Sequence, residues 1–371
     1  MENKKTIYFE GLNGIRAIAA LSVVISHITL HLSNFNLNPY IFGRAADGTP
    51  KGLLLAGYGV SMFFALSGFL ITYLLLLEKE DRGKINIRFF YLRRILRIWP
   101  LYYLYMIISL AVMHFSGPPV SSTTLLFYIF YLPNIPFILS TYIPVMAHYW
   151  SLGVEEQFYI FWPWVIAKAK KNLNVIILGG IILLITLKLI ARYCLPGQDH
   201  SIFYLSIHVT RFHCMLIGAL SASLYKNNNT LFIKICTHKI SQLVAWAIIA
   251  AAAVNQFHFA SVIDGEFLSV ITVILILGQA TKVNRLINLQ SKVPDFLGKI
   301  SYGIYIYHPL IIWGFSALFA NIAITGVLKY LVIYSSIITA TIVTAYLSYT
   351  YFEKRFLKLK TNYTIINSSK I

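Results

Sequence analysis

The stretch GLNGIRAIAALSVVISHITLH, residues 11–31, is long and apolar enough to cross a bilayer, yet Arg16 and His27 lie within it. Ionisable side chains inside a transmembrane span are costly, so each is a candidate functional residue. The two are eleven residues apart. At about 100° per residue they return to within roughly 20° of one helix face, separated by about 16 Å along the axis. Taken alone, the pair also admits a plainer reading. Arg16 would snorkel to the interface, and His27 would be a hydrogen-bonded interior histidine.

Composition narrows the class. Of 371 residues, 58% are hydrophobic and 12% charged, with a mean hydropathy of +0.69. That balance excludes a soluble globular protein and predicts an all-α, polytopic transmembrane bundle with the lipid bilayer as its partner. The net charge of +18 comes from 31 basic and 13 acidic residues. Because the basic residues sit mainly in short links between apolar runs, no nucleic-acid partner is expected. Cys194, Cys214 and Cys236 lack CxxC spacing and predict neither a disulfide framework nor a zinc site. No metal is expected. The opening MENKKTIYFE lacks the layout of a cleavable signal and is read as retained.

Ten spans are expected, at about 12–32, 53–77, 98–116, 149–167, 174–193, 206–225, 240–257, 264–280, 301–320 and 327–350. The links on one side are basic, including EKEDRGKINIRFFYLRR, KAKK and EKRFLKLK. Those on the other side are nearly free of Lys and Arg. This asymmetry places both termini in the cytoplasm. Residues 123–146 are apolar but interrupted by Pro133, Pro136 and Pro144, so they predict a partly inserted or surface-lying segment. A single membrane domain over 1–360 and a disordered cytoplasmic tail over 361–371 follow.

Four further segments can carry chemistry. In FFYLRRILRIWPLYY, Arg93, Arg94 and Arg97 approach one end of the third span, with Arg93 and Arg97 at i, i+4. They fit either a headgroup anchor that sets orientation or a clamp for a polyphosphate ligand. In HYWSLGVEEQFYIFWP, Ser151, Glu155 and Tyr159 form one stripe. Counting from the span ends puts Glu155 about 9 Å and His27 about 7 Å from the same boundary, so Glu155 is expected to orient His27 as general base. Glu156 points about 100° away and is ranked second, with Arg211 as a possible buried partner. A structural interhelical ion pair is the alternative. In ISYGIYIYHPL, Ser301, Tyr305 and His308 share a stripe, and they fit either a bundle seam or a ligand lining. Ser67 and Gly68 in GVSMFFALSGFLIT fit close helix packing better than nucleophilic chemistry, because GxSxG is absent.

Taken in order, GLNGIRAIAALSVVISH, FFALSGFLIT, FYLRRILRIWP, YWSLGVEEQFY and ISYGIYIYHP resemble the motifs of the acyltransferase-3 family of bacterial membrane O-acyltransferases, from about residue 10 to residue 356. Its Arg-x10-His signature falls on Arg16 and His27. Asn13 stands where many members carry Asp, so no charge-dependent role is assigned to it. Larger relatives append an SGNH-hydrolase-like domain, and none is expected here.

The resemblance implies a bacterial plasma-membrane enzyme that takes an acyl, expectedly acetyl, group from cytoplasmic acyl-CoA to a carbohydrate hydroxyl. Acyl-CoA would be a donor substrate, with no permanently bound cofactor. Arg93, Arg94, Arg97 and Arg16 would hold the donor, and His27 with Glu155 would carry the chemistry. Ser151, Tyr159, Tyr305 and His308 would line the substrate. The competing class is an exporter of polysaccharide precursors or acylated sugars that uses the same charges as a pathway.

Overall fold

The computed structural model describes residues 7–41, 43–44, 48–169, 172–195, 201–260, 262–319 and 323–366. Its helices are α1 (Leu12–Leu30), α2 (Leu54–Arg82), α3 (Ile87–Ser116), α4 (Ser122–Ile129), α5 (Asn134–Ile138), α6 (Tyr149–Lys168), α7 (Leu173–Tyr193) and α8 (Ile202–Thr210). There follow α9 (Phe212–Lys226), α10 (Thr230–Thr237), α11 (Lys239–Ala253), α12 (Asp264–Thr281), α13 (Lys292–Lys299), α14 (Ser301–Phe319), α15 (Gly326–Ser348) and α16 (Lys354–Lys360). Among the described residues there is no β-strand.

All ten expected spans coincide with helical segments. Eight are long and apolar enough to cross a membrane, and α10 with α11, bent by 54°, makes a ninth. The tenth, α6, has 20 residues but is diluted by Glu155, Glu156 and Gln157. Residues 123–146 do not span, folding into α4, α5 and a short 3-10 turn. Their prolines break the helix, and buried tyrosines fasten the segment to the bundle. Tyr102 donates to the Tyr128 carbonyl (2.7 Å) and Tyr105 to that of Val145 (2.8 Å).

Packing follows from small residues. A Cβ on Gly68 of α2 would overlap the Met215 carbonyl, and one on Gly218 of α9 would overlap that of Ala65. The two backbones therefore meet directly, as small residues allow where no hydrophobic force drives association in lipid. The buried face of α1 packs Ala20, Val24 and Ile28 with Ile300, which precedes α14, and with Ile304 and Ile312 of α14. That seam puts the Arg16–His27 face beside α14. Lys79 closes the C-terminal end of α6, donating to the carbonyls of Ile166, Ala167 and Ala169.

The tail departs from expectation. Thr361–Tyr363 forms a 3-10 turn, and Ile365 and Ile366 are buried against Leu77. Two isoleucines in TNYTIINSSKI are apolar surface enough to dock the chain. Residues 367–371, and Lys170 and Lys171 of the basic link, lie outside the described residues.

Candidate active site

His27 sits one turn from the C-terminal end of α1, where its Nδ1 lies 2.7 Å from Nε2 of His308 on α14. His148, which precedes α6, completes a cluster: its ring centre is 5.3 Å from that of His308 and 5.4 Å from that of Tyr305. Both ring nitrogens of His148 and Nδ1 of His308 are buried without a hydrogen-bond partner among the described residues. In the His27–His308 bond one imidazole must donate. If Nδ1 of His27 carries the proton, Nε2 keeps its lone pair, the state a general base requires.

Toward the N-terminal end of α1 the bundle opens into a cavity of about 800 Å³, within the range of ligand pockets. It follows α2 from Val60 to Leu74, which at 1.5 Å per residue is about 21 Å. Arg16, Arg94 and Arg97 line it, with Ser151, Glu155, Tyr159, Ser301, Tyr302 and Tyr305. Its deep end is closed by Ser151 and Tyr305, whose hydroxyls are 2.6 Å apart, with Tyr305 also donating to the His148 carbonyl (2.9 Å). The histidines lie behind that pair.

The cavity carries seven basic side chains against four carboxylates. The carboxylates are engaged elsewhere: Glu10 by Lys282 and Arg285, Asp295 by Lys299, Glu353 by Ser348, and Glu155 by Ser67 and Tyr159. Among the described residues Arg16, Arg94 and Arg97 pair with no carboxylate, and Nε of Arg94 is buried without a partner. Arg16 is steadied by a neutral bridge. Its Nη1 donates to Asn13 Oδ1 (3.0 Å), and Asn13 Nδ2 donates to Asp295 on α13 (2.9 Å). Burial opposes ionisation of Asp295, but the hydrogen bonds from Lys299, Asn13 and Tyr8 outweigh it and hold the carboxyl below its usual range.

Three placements differ from the sequence reading. Glu155 does not partner His27; it accepts from Ser67 (2.9 Å) and Tyr159 (3.1 Å) on the cavity wall. The depth count took α1 and α6 to enter the membrane in step. The imidazoles instead gather at His148, seven residues before Glu155, about 10 Å along the helix. Arg93 is absent from the cavity wall, since it pairs with buried Glu78 (3.2 Å) and donates to the Tyr363 carbonyl (2.9 Å). His308 lies beyond the cavity, bonded to His27. Glu156 accepts from Trp99 Nε1 (3.2 Å), while Arg211 donates to Gly57 and Ser61 of α2. Sequence reasoning missed His148, although the rule that flagged His27 applies equally to an ionisable residue three positions before Ser151. It also passed over Lys354, Lys358 and Lys360, which it absorbed into a basic link.

A family profile described as an acyltransferase domain matches residues 9–350, which takes in α1, all three histidines of the cluster and the cavity wall except Tyr8 and the residues from Glu353 to Lys360. The chain belongs to the acyltransferase-3 family. Similar proteins include a Staphylococcus aureus protein named "Putative O-acetyltransferase", 29% identical over 96% of this chain and 58% of its own. Another is the peptidoglycan O-acetyltransferase OatA of Listeria monocytogenes, 27% identical over 81% of this chain and 49% of its own. The chain thus spans about half the length of these relatives. No solved structure matches it. As a member of the acyltransferase-3 family it is a multi-pass membrane protein, and the segments that carry the resemblance surround one cavity and one histidine cluster.

Proposed function

We propose that this protein moves an acyl group, acetyl by analogy with its named relatives, from cytoplasmic acyl-CoA to a carbohydrate hydroxyl of the bacterial cell envelope. The observation that carries the reading is the placement of Arg16, Arg94 and Arg97, without carboxylate partners among the described residues, around an open cavity at one end of α1, with the His27–His308 pair at the other. Guanidinium forks match phosphate oxygens, and an 800 Å³ cavity suits a nucleotide thioester. The one-sided distribution of basic links supports a cavity mouth at the cytoplasmic face of the plasma membrane, with both termini on that side.

In this reading the donor phosphates rest on the arginines and the thioester reaches toward Ser151 and Tyr305. Tyr305 is three residues from His308, about 4.5 Å along α14. Nε2 of His27 takes the proton from the acceptor hydroxyl as its oxygen attacks the thioester carbonyl. His308, accepting from Nδ1, fixes the tautomer and stabilises the imidazolium. The tetrahedral intermediate collapses, the C–S bond breaks, and the proton from His27 passes to the departing thiolate.

The decisive experiment pairs chemistry with genetics. Purified protein should release free thiol from acetyl-CoA when given an envelope glycan acceptor. A deletion strain should lose an ester from its glycans, restored by the wild-type gene and not by His27→Ala. Glycans altered by deletion, with no thiol released by the purified protein, would instead favour an exporter.

A further inference from the structure

The cations of the cavity form two tiers. Arg16, Arg94, Arg97 and Lys360 are half-buried, and Lys299 is taken up by Asp295. Lys354 and Lys358 of α16 are exposed yet line the same cavity, with Leu357 between them. They stand at i, i+4 on one face, and neither pairs with a carboxylate among the described residues. Lys354 lies over the Tyr349 ring, 5.3 Å from its centre, a cation–π contact that holds the ammonium at the cavity rim.

This rim is fixed in place. The π-helical turn Tyr349–Glu353, a deviation that recurs at functional sites, joins α15 to α16 and gives Tyr349 and Glu353 to the cavity wall. Beyond α16 the chain folds back: Arg93 holds the Tyr363 carbonyl, Phe89 meets the Tyr363 ring edge-on at 5.5 Å, and Ile365 and Ile366 are buried. Arg93 is thereby a positioning residue for the lysine rim.

We infer that Lys354 and Lys358 bind a second phosphate, apart from the diphosphate held deeper in, so that the cavity selects a nucleotide donor phosphorylated on its ribose. The inference rests on the acyl-CoA reading and refines it, since coenzyme A carries a 3′-phosphate in addition to its diphosphate. Three inner arginines answer the diphosphate, and the lysine pair answers the remaining dianion. Lipid headgroup phosphates share this chemistry, so the test must separate the two sources.

Affinities of coenzyme A and 3′-dephospho-coenzyme A are measured for the full chain in nanodiscs of neutral lipid and of mixed neutral and anionic lipid. The wild type should prefer coenzyme A by about tenfold, or about 1.4 kcal/mol, in both. Lys354→Gln/Lys358→Gln should reduce that preference below about twofold by weakening coenzyme A alone. Unchanged 3′-dephospho-coenzyme A binding then certifies the fold, and Lys354→Arg/Lys358→Arg should keep the preference. Equal wild-type affinity for the two nucleotides would overturn the inference while leaving the donor reading intact. An effect of the Gln pair seen only with anionic lipid would assign the lysines to headgroups and overturn it as well. Binding of neither nucleotide would remove the donor reading itself.

Discussion

At the Arg16 end of α1, arginines without carboxylate partners among the described residues face an open cavity, whereas at the His27 end the imidazoles are packed on one another behind the Ser151–Tyr305 pair. Half-buried cations without a neutralising carboxylate are held at a desolvation cost that an arriving anion relieves. They suit a ligand that binds and leaves. Directly bonded imidazoles need no ligand to set their geometry, so in the proposed reaction their contribution is to the barrier. The two ends should therefore separate kinetically, the first in donor KM and the second in kcat.

The largest effect should come from removing the base. His27→Ala should lower kcat on the order of 10²-fold or more, with donor affinity retained. A donor affinity that collapses with kcat would break the division between the two ends. His308→Ala should follow, with kcat down about tenfold to hundredfold, because the base survives without the partner that sets its tautomer. His308→Gln, which keeps an acceptor, should recover part of the loss. Steady-state thiol release at saturating acceptor measures both.

At the other end, Arg97→Ala or Arg94→Ala should raise donor KM about tenfold while sparing kcat. Arg93 sharpens the contrast, since it sits beside them in sequence but bonds to Glu78 and Tyr363. Breaking that buried pair should destabilise the fold by about 3 kcal/mol, read as a lower Tm. Its effect on donor KM should be smaller than that of Arg97→Ala.

Much of this layout was legible in the sequence because membranes impose strong rules. Apolar length located the helices, and helical periodicity put Arg16 and His27 on one face. What escaped was relative register. Nothing in the order of residues states how far α6 slides against α1, so Glu155 was matched with His27 by counting from span ends, when His148 and His308 were the residues at that level. Arg93 was misplaced for a related reason. Its partner Glu78 lies in a link that reads as charged and solvated, and the carbonyl it holds belongs to a segment read as a tail. Asn13 fared better: it bridges Arg16 and Asp295 as a neutral amide, which needs no charge at that position.

The smallest effect tests that register directly. Glu155 and Glu156 are adjacent, yet the first accepts from Ser67 and Tyr159 on the cavity wall and the second from Trp99 outside it. Glu155→Gln retains an acceptor for either hydroxyl and deletes a negative charge near Arg94 and Arg97. The donor should then bind more tightly, with KM falling about two- to threefold and kcat nearly unchanged, as expected for a partly solvated charge several ångströms from the phosphates. Glu156→Gln should move neither constant. Assayed side by side, the pair leaves little room for reinterpretation. A kcat that collapses in Glu155→Gln alone would mean that a carboxylate does reach the chemistry, and that the His27–His308 bond is not what holds the base.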